Sequence, residues 1–120
     1  MKVLIIDDDA DIRFVAAMSL RAGGAIDVVE ASGGLDGVCK AREEQPDVIL
    51  LDMMMPKMDG SQTIAALRMQ RETATTPVIF LTAKTIVAEI QGMKDLGAAG
   101  VLIKPFDPRT LAADVLALLT

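Results

Sequence analysis

Five short, largely apolar runs punctuate the chain, at residues 3–6, 26–29, 48–51, 78–81 and 101–103. They are rich in Val, Ile and Leu and show almost no alternation with polar residues. Strands covered on both faces read this way, as in a parallel sheet between two layers of helices. The intervening stretches carry helical spacing. Ile12, Val15 and Ala16 form a stripe after Asp11, closed by Arg21-Ala22-Gly23-Gly24. Leu35, Val38 and Ala41 precede Pro46; Ile64 and Leu67 follow Asp59-Gly60-Ser61; Ile86, Ile90 and Met93 precede Gly97. Asp107-Pro108 reads as an N-cap followed by proline at the first helical position, with Leu111, Val115 and Leu118 as the inner face of the last helix. Five strands, each followed by a helix, predict a doubly wound α/β fold with a five-stranded parallel sheet.

The 120 residues have the length of one domain, 1–120, and suffice for a real core. Only 2% of the residues are aromatic, with no Trp or Tyr, so aliphatics and eight Met must fill that core and ring-stacking sites are disfavoured. The net charge of −5, with no basic cluster, is the wrong sign for a nucleic-acid binder. Zero His removes the usual zinc ligand and general base, and one cysteine excludes an internal disulfide. Cys39 is expected to be a small buried hydrophobe. With neither a signal peptide nor an apolar stretch of about 20 residues, the expectation is a cytoplasmic domain off the membrane.

In open parallel sheets, ligands bind beyond the carboxyl ends of the strands. The residues that follow the runs are Asp7-Asp8 after the first, Asp52 after the third, Thr82 after the fourth and Lys104 after the fifth; Glu30-Ala31 after the second adds little. Each has an ordinary explanation alone: a cap, a turn residue or a solvated lysine. Their conjunction on one edge does not. Two carboxylates about 5 Å apart repel by roughly 3 kcal/mol at an effective dielectric of 20, so three pairs would rival a small domain's net stability of ~5–15 kcal/mol. Lys104 supplies one compensating charge. An all-oxygen ligand set makes the remainder a hard cation, with Mg²⁺ the best fit and Mn²⁺ or Ca²⁺ as substitutes. The run Met53-Met54-Met55 reads as loop and core filler, since nothing soft lies nearby.

Four blocks then carry a family likeness: Ile5-Ile6-Asp7-Asp8-Asp9, the segment 50–60 from Leu50 through Asp52 and Pro56 to Asp59-Gly60, the segment 77–83 ending in Thr82-Ala83, and the segment 97–106 ending in Lys104-Pro105-Phe106. In this order they resemble the receiver domain of two-component response regulators along the whole chain. The resemblance implies a flavodoxin-like strand order 2-1-3-4-5. It implies that Asp52 accepts a phosphoryl group from a histidine kinase or histidine phosphotransfer protein, with Asp8 a direct ligand of Mg²⁺ and Asp7 holding it through water. Asp52 and the Met54 carbonyl would complete the ligand set. Lys104, Thr82 and the Ala83 backbone N–H would contact the phosphoryl group, and Lys104-Pro105 would be cis. Output would be a protein target bound through the face of the fourth helix, fifth strand and fifth helix, by a monomer or a phosphorylation-dependent dimer. Such a domain is no enzyme beyond its own phosphorylation and dephosphorylation. Two family features differ or vary here. Val101 stands where many receivers carry an aromatic ring, and Met54 and Lys84 occupy positions that tune phosphoryl lifetime.

Three rivals are weaker. A haloacid-dehalogenase-type phosphatase would share the Asp-x-Asp after the first strand, but the downstream acidic pair and cap domain are missing from these 120 residues. A nucleotide or flavin binder would use Gly33-Gly34-Leu35-Asp36-Gly37, yet Ser32 replaces the first glycine of the fingerprint. A degenerate receiver would only dock, although all five key residue types are present. The last helix reaches almost to Thr120, so the sequence reads as a stand-alone receiver or one separated from an output module.

Overall fold

In the computed structural model, which describes residues 1–24 and 26–120, every apolar run becomes a strand and every intervening stripe a helix. The order is β1 (Lys2–Ile6), α1 (Ala10–Ala22), β2 (Asp27–Ala31), α2 (Gly34–Glu44), β3 (Val48–Asp52), α3 (Gly60–Met69), β4 (Val78–Thr82), α4 (Val87–Asp95), β5 (Gly100–Ile103) and α5 (Leu111–Leu119). A 3-10 turn at Arg71–Thr73, not foreseen from the pattern, links α3 to β4. The sheet is parallel throughout, in the order β2-β1-β3-β4-β5.

The near-continuous apolar strands are explained by two cores, one on each face of the sheet. Val3, Ile5, Val48, Leu50, Ile79 and Leu81 point toward α1 and α5, where Ala16, Ala17, Leu20, Leu111 and Val115 meet them. Their neighbours Leu4, Ile6, Ile49, Leu51, Val78 and Phe80 point the other way, against Ala41, Ile64, Leu67 and Met93 of α2, α3 and α4. The period-two alternation of side chains thus sends every second strand residue to a different layer, and both layers are dry.

Some helical faces differ from the sequence expectation. Leu35 is 73% exposed, as are Ile86 (62%) and Val15 (39%), although each begins or continues a predicted inner stripe. Around Leu35, small residues lie inward instead. On α2 the buried positions are Gly34, Gly37 and Ala41, because a β-carbon at Gly37 would sit 2.5 Å from Ile6 Cδ1. Close helix-to-sheet approach selects Gly and Ala there, and the larger apolar residues are left outside. Cys39 is exposed for the same reason, correcting the expectation that it is buried. Asp107 caps a turn over residues 108–110, its carbonyl accepting from Thr110 N–H, and α5 starts one turn later with Thr110 as its N-cap.

Candidate functional site

Parallel strands end together at their carboxyl edge, so the sheet order fixes which residues meet. β1 is central between β2 and β3, and Asp7 and Asp8 follow its last residue. Asp52 ends β3 beside it, Thr82 ends β4, and Lys104 follows β5. The β4–β5 ladder pairs Thr82 with Ile103, and Lys104 N–H donates to the Thr82 carbonyl at 2.7 Å. That bond carries the lysine over the sheet edge, where its Nζ lies 2.7 Å from Asp7 Oδ2 and 3.3 Å from Asp52 Oδ1. The Lys104-Pro105 peptide bond is cis.

Asp7, Asp52 and Thr82 are buried, while Asp8 is exposed. One carboxylate oxygen from each of Asp7, Asp8 and Asp52 falls within 4.8 Å of the others. Backbone donors fix the two buried acids: Asp9 N–H donates to Asp7 Oδ1 at 2.9 Å and Met54 N–H to Asp52 Oδ1 at 3.3 Å. Thr82 Oγ1 accepts from Lys84 N–H at 3.1 Å. Met54 itself is 63% exposed at the rim.

Electrostatics follows from these distances. By the arithmetic used for the sequence, Lys104 recovers roughly 5–6 kcal/mol from each carboxylate it touches at an effective dielectric of 20. It therefore offsets much of the repulsion among the three acids before any dication binds. What it cannot replace is the water lost by Asp52. Burial first, and then the charge of Asp7, push the Asp52 carboxyl up to about 6, against the opposing pull of Lys104 and the Met54 N–H. Burial works against the Lys104 ammonium, but its hydrogen bond to Asp7 and the charges of both acids hold it above the ordinary lysine value. Three acids and one lysine still leave the cluster at −2. The donor set is all oxygen, closely spaced and partly desolvated, and it fits a hard divalent cation.

Thus Asp7, Asp8, Asp52 and Lys104 come together as expected, with Thr82 on the adjacent strand end. Val101 is half-buried against the α2–α4 core. Gly34 and Gly37 serve close packing, against Thr63 and Met58 at Gly34 and Ile6 at Gly37, whereas a β-carbon at Gly33 would meet nothing within 4 Å; neither packing glycine calls for a nucleotide loop. Two charged residues at the site were missed. Arg13 donates from Nη1 to the Asp7 carbonyl at 2.7 Å, and its Nε lies 3.4 Å from Glu30 Oε1. Glu30 lies inside β2 and reaches the site only through Arg13. A sequence signal existed: α1 begins just after the acid pair, so its first turns can reach back to β1.

A family model described as the response regulator receiver domain matches residues 3–116. The chain is 44% identical over 119 residues to the DNA-binding dual master transcriptional regulator RpaA of Synechocystis, covering 98% of this chain and 48% of that protein. It is 36% identical over 118 residues to protein PilH of Pseudomonas aeruginosa, covering 98% of this chain and 97% of PilH. The chain therefore spans about half the length of several curated relatives it matches and nearly all of another. Among solved structures, chemotaxis protein CheY4 of Vibrio cholerae matches with a TM-score of 0.90 at 37% identity, covering 98% of this chain and 97% of that one. The BeF3-activated DrrB receiver domain matches with a TM-score of 0.83 at 29% identity, covering 98% and 96%. Sequence match, fold and strand-end chemistry agree that this chain belongs to the response regulator receiver domains of two-component signalling.

Proposed function

We propose that the chain is a phosphorelay switch in which Asp52 accepts a phosphoryl group from a phosphohistidine on a sensor kinase or phosphotransfer protein. The observation that carries this reading is the contact of Lys104 with both Asp7 and Asp52, beside a third carboxylate, at the carboxyl edge of the sheet. A carboxylate displaced to about 6 is still about nine-tenths ionised at pH 7, so Asp52 is available as a nucleophile. Its oxygen attacks phosphorus, the P–N bond to the donor histidine breaks, and the nitrogen keeps the electron pair. Asp7, Asp8, Asp52 and the Met54 carbonyl would hold Mg²⁺, which when bound neutralises charge on the transferring phosphoryl oxygens. Mn²⁺ would substitute. Lys104, already aimed at Asp52, stabilises the same charge from the protein side. The chain is a phosphoacceptor, catalysing only its own phosphorylation and dephosphorylation, and phosphohistidine donors imply the cytoplasm.

Phosphorylation adds about two negative charges and new acceptors. Thr82 can donate to one of these oxygens, with the Ala83 N–H beside it, but its hydroxyl now holds Lys84 N–H. Moving it disturbs residues 83–86, which lead into α4 with no side-chain cap at Ile86. The exposed apolar groups Ile86, Val87, Ile103 and Leu116 lie on α4, β5 and α5 or at their edges, which supports a protein target on that face. With Val101 in place of a ring, the loop and α4 carry the readout. Exposed Met54 and half-buried Lys84, at the rim, would set access of water to the phosphoryl group.

Incubating the chain with Mg²⁺ and acetyl phosphate, then trapping the acyl phosphate with borohydride, tests this. One modification at Asp52, lost in Asp52→Asn, is the expected result. Modification elsewhere, or turnover of simple phosphate esters as by a phosphatase, would refute it.

A further inference from the structure

Arg13 lies outside the acid cluster, on α1, yet it joins the loop that bears two of the acids to β2. Its Nη1 donates to the Asp7 carbonyl, the oxygen of the peptide joining Asp7 to Asp8. Its Nε is held by Glu30, whose own carbonyl accepts from Lys40 Nζ at 2.6 Å. Lys40 in turn pairs with Asp36 at 3.3 Å, and Asp36 Oδ2 accepts from Ser32 N–H at 3.3 Å. The guanidinium is thus anchored to the edge strand and, through it, to α2.

The three acids are not equally fixed. Asp7 is held by Lys104 and by the Asp9 N–H, and its own N–H donates to the Ala31 carbonyl at 3.2 Å. Asp52 is held by Lys104 and Met54. Among the described residues, the exposed Asp8 carboxylate has no hydrogen-bond or ion-pair partner. Its placement depends on the backbone from which it springs, and Arg13 grips the peptide immediately before it. We infer that Arg13 is a positioning residue, which fixes the Asp7–Asp8 peptide so that the Asp8 carboxylate faces Asp7 and Asp52 at the distance a divalent cation needs. The inference rests on the magnesium reading above. Bonds to such supporting groups decide how well a ligand set is preorganised.

The sign of the effect separates positioning from charge. A guanidinium bonded to the peptide between Asp7 and Asp8 repels an incoming cation, so removing its charge alone would tighten Mg²⁺ binding. Loss of positioning weakens it. The test is a Mg²⁺ titration of the metal-free chain, followed on backbone amide resonances well below the unfolding temperature of each variant. Arg13→Gln is expected to weaken Mg²⁺ about 10-fold. Arg13→Lys keeps the charge but lacks the planar two-armed donor, and is expected to weaken binding as well. Glu30→Ala, which frees the far end of the guanidinium, should weaken it less than Arg13→Gln. Arg13→Gln at or above wild-type affinity, or Arg13→Lys equal to wild type, overturns the inference. Should Arg13→Gln not fold, Arg13→Lys and Glu30→Ala decide the matter by the same criterion. A wild-type chain that binds no Mg²⁺ overturns the underlying reading instead.

Discussion

Replacing Asp52 by Asn should stabilise the metal-free protein, and by an amount that grows with pH. Asn has the shape of the neutral acid and keeps an oxygen for the Met54 N–H, so the substitution isolates the cost of ionisation. The carboxyl stands at about 6 in the fold against an ordinary 3.8. A group raised on folding contributes stability that is fully present below its unfolded value and lost as pH rises through its folded value. For Asp52 that window runs from about pH 4 to about pH 7. A displacement of about two pKa units corresponds to roughly 3 kcal/mol, an upper figure because side chains and water relax around the charge. With an unfolding entropy near 2.1 cal/mol/K per residue, this would move Tm by roughly 10 °C in a chain of 120 residues. Urea unfolding of both proteins in chelator, from pH 4.5 to pH 8, gives the difference directly. Asp59 and Asp107, whose carboxyls are held below the ordinary value by their hydrogen bonds, are common to both proteins and cancel. A stability gap that stays flat with pH, or that favours Asp at pH 8, would refute the reasoning.

Four further outcomes follow from the same geometry. Lys104→Met removes the cation that pairs with the carboxylates of both buried acids and should cost about 3–5 kcal/mol at pH 8; a second change, Asp52→Asn, should restore part of it in a double-mutant cycle. Adding Mg²⁺ at 100 times its dissociation constant should stabilise the wild type by about 2.7 kcal/mol in thermal unfolding, and Asp8→Asn should shrink that gain. Asp59→Ala breaks the capping box in which Asp59 accepts from Gln62 N–H at 2.9 Å and Gln62 returns a bond to Asp59 N–H, so urea unfolding should show a loss of about 1 kcal/mol. Gly37→Ala places a methyl against Ile6 and should cost about 1–3 kcal/mol, with Ile6→Ala relieving the clash in the pair.

How much of this was legible before the fold was seen depends on the range of each signal. Strands such as Val48–Asp52 are buried throughout, and burial on both faces leaves a continuous apolar run that needs no tertiary information. The strand-end residues Asp7, Asp52 and Lys104 were found because parallel strands deliver their last residues to one edge. Helical faces were read less well. Leu35 is apolar and correctly spaced, but the sheet lies too close to α2 for anything larger than Gly37 or Ala41, a fact belonging to the packing alone; Ile86 falls just ahead of α4 as its N-cap, outside the helix that its spacing predicts. Arg13 looked like any surface arginine of a first helical turn. The start of α1 just after the acid pair hints at a contact with β1, but the partners, the Asp7 carbonyl and Glu30, are set by the packing of α1 beside β1 and β2. Sequence places Lys104 on the edge of the acids as one compensating charge, but the strength of that compensation depends on its approach to 2.7 and 3.3 Å from two carboxylates.

Beryllofluoride, which mimics a phosphoryl group on a carboxylate, probes the central claim most directly. Fluorine resonance spectra of the chain with beryllofluoride should show one bound species at one equivalent per chain, appearing only when Mg²⁺ is added and absent from Asp52→Asn. A bound signal that forms without a divalent cation, or that survives in Asp52→Asn, would contradict an Asp52-centred acceptor site.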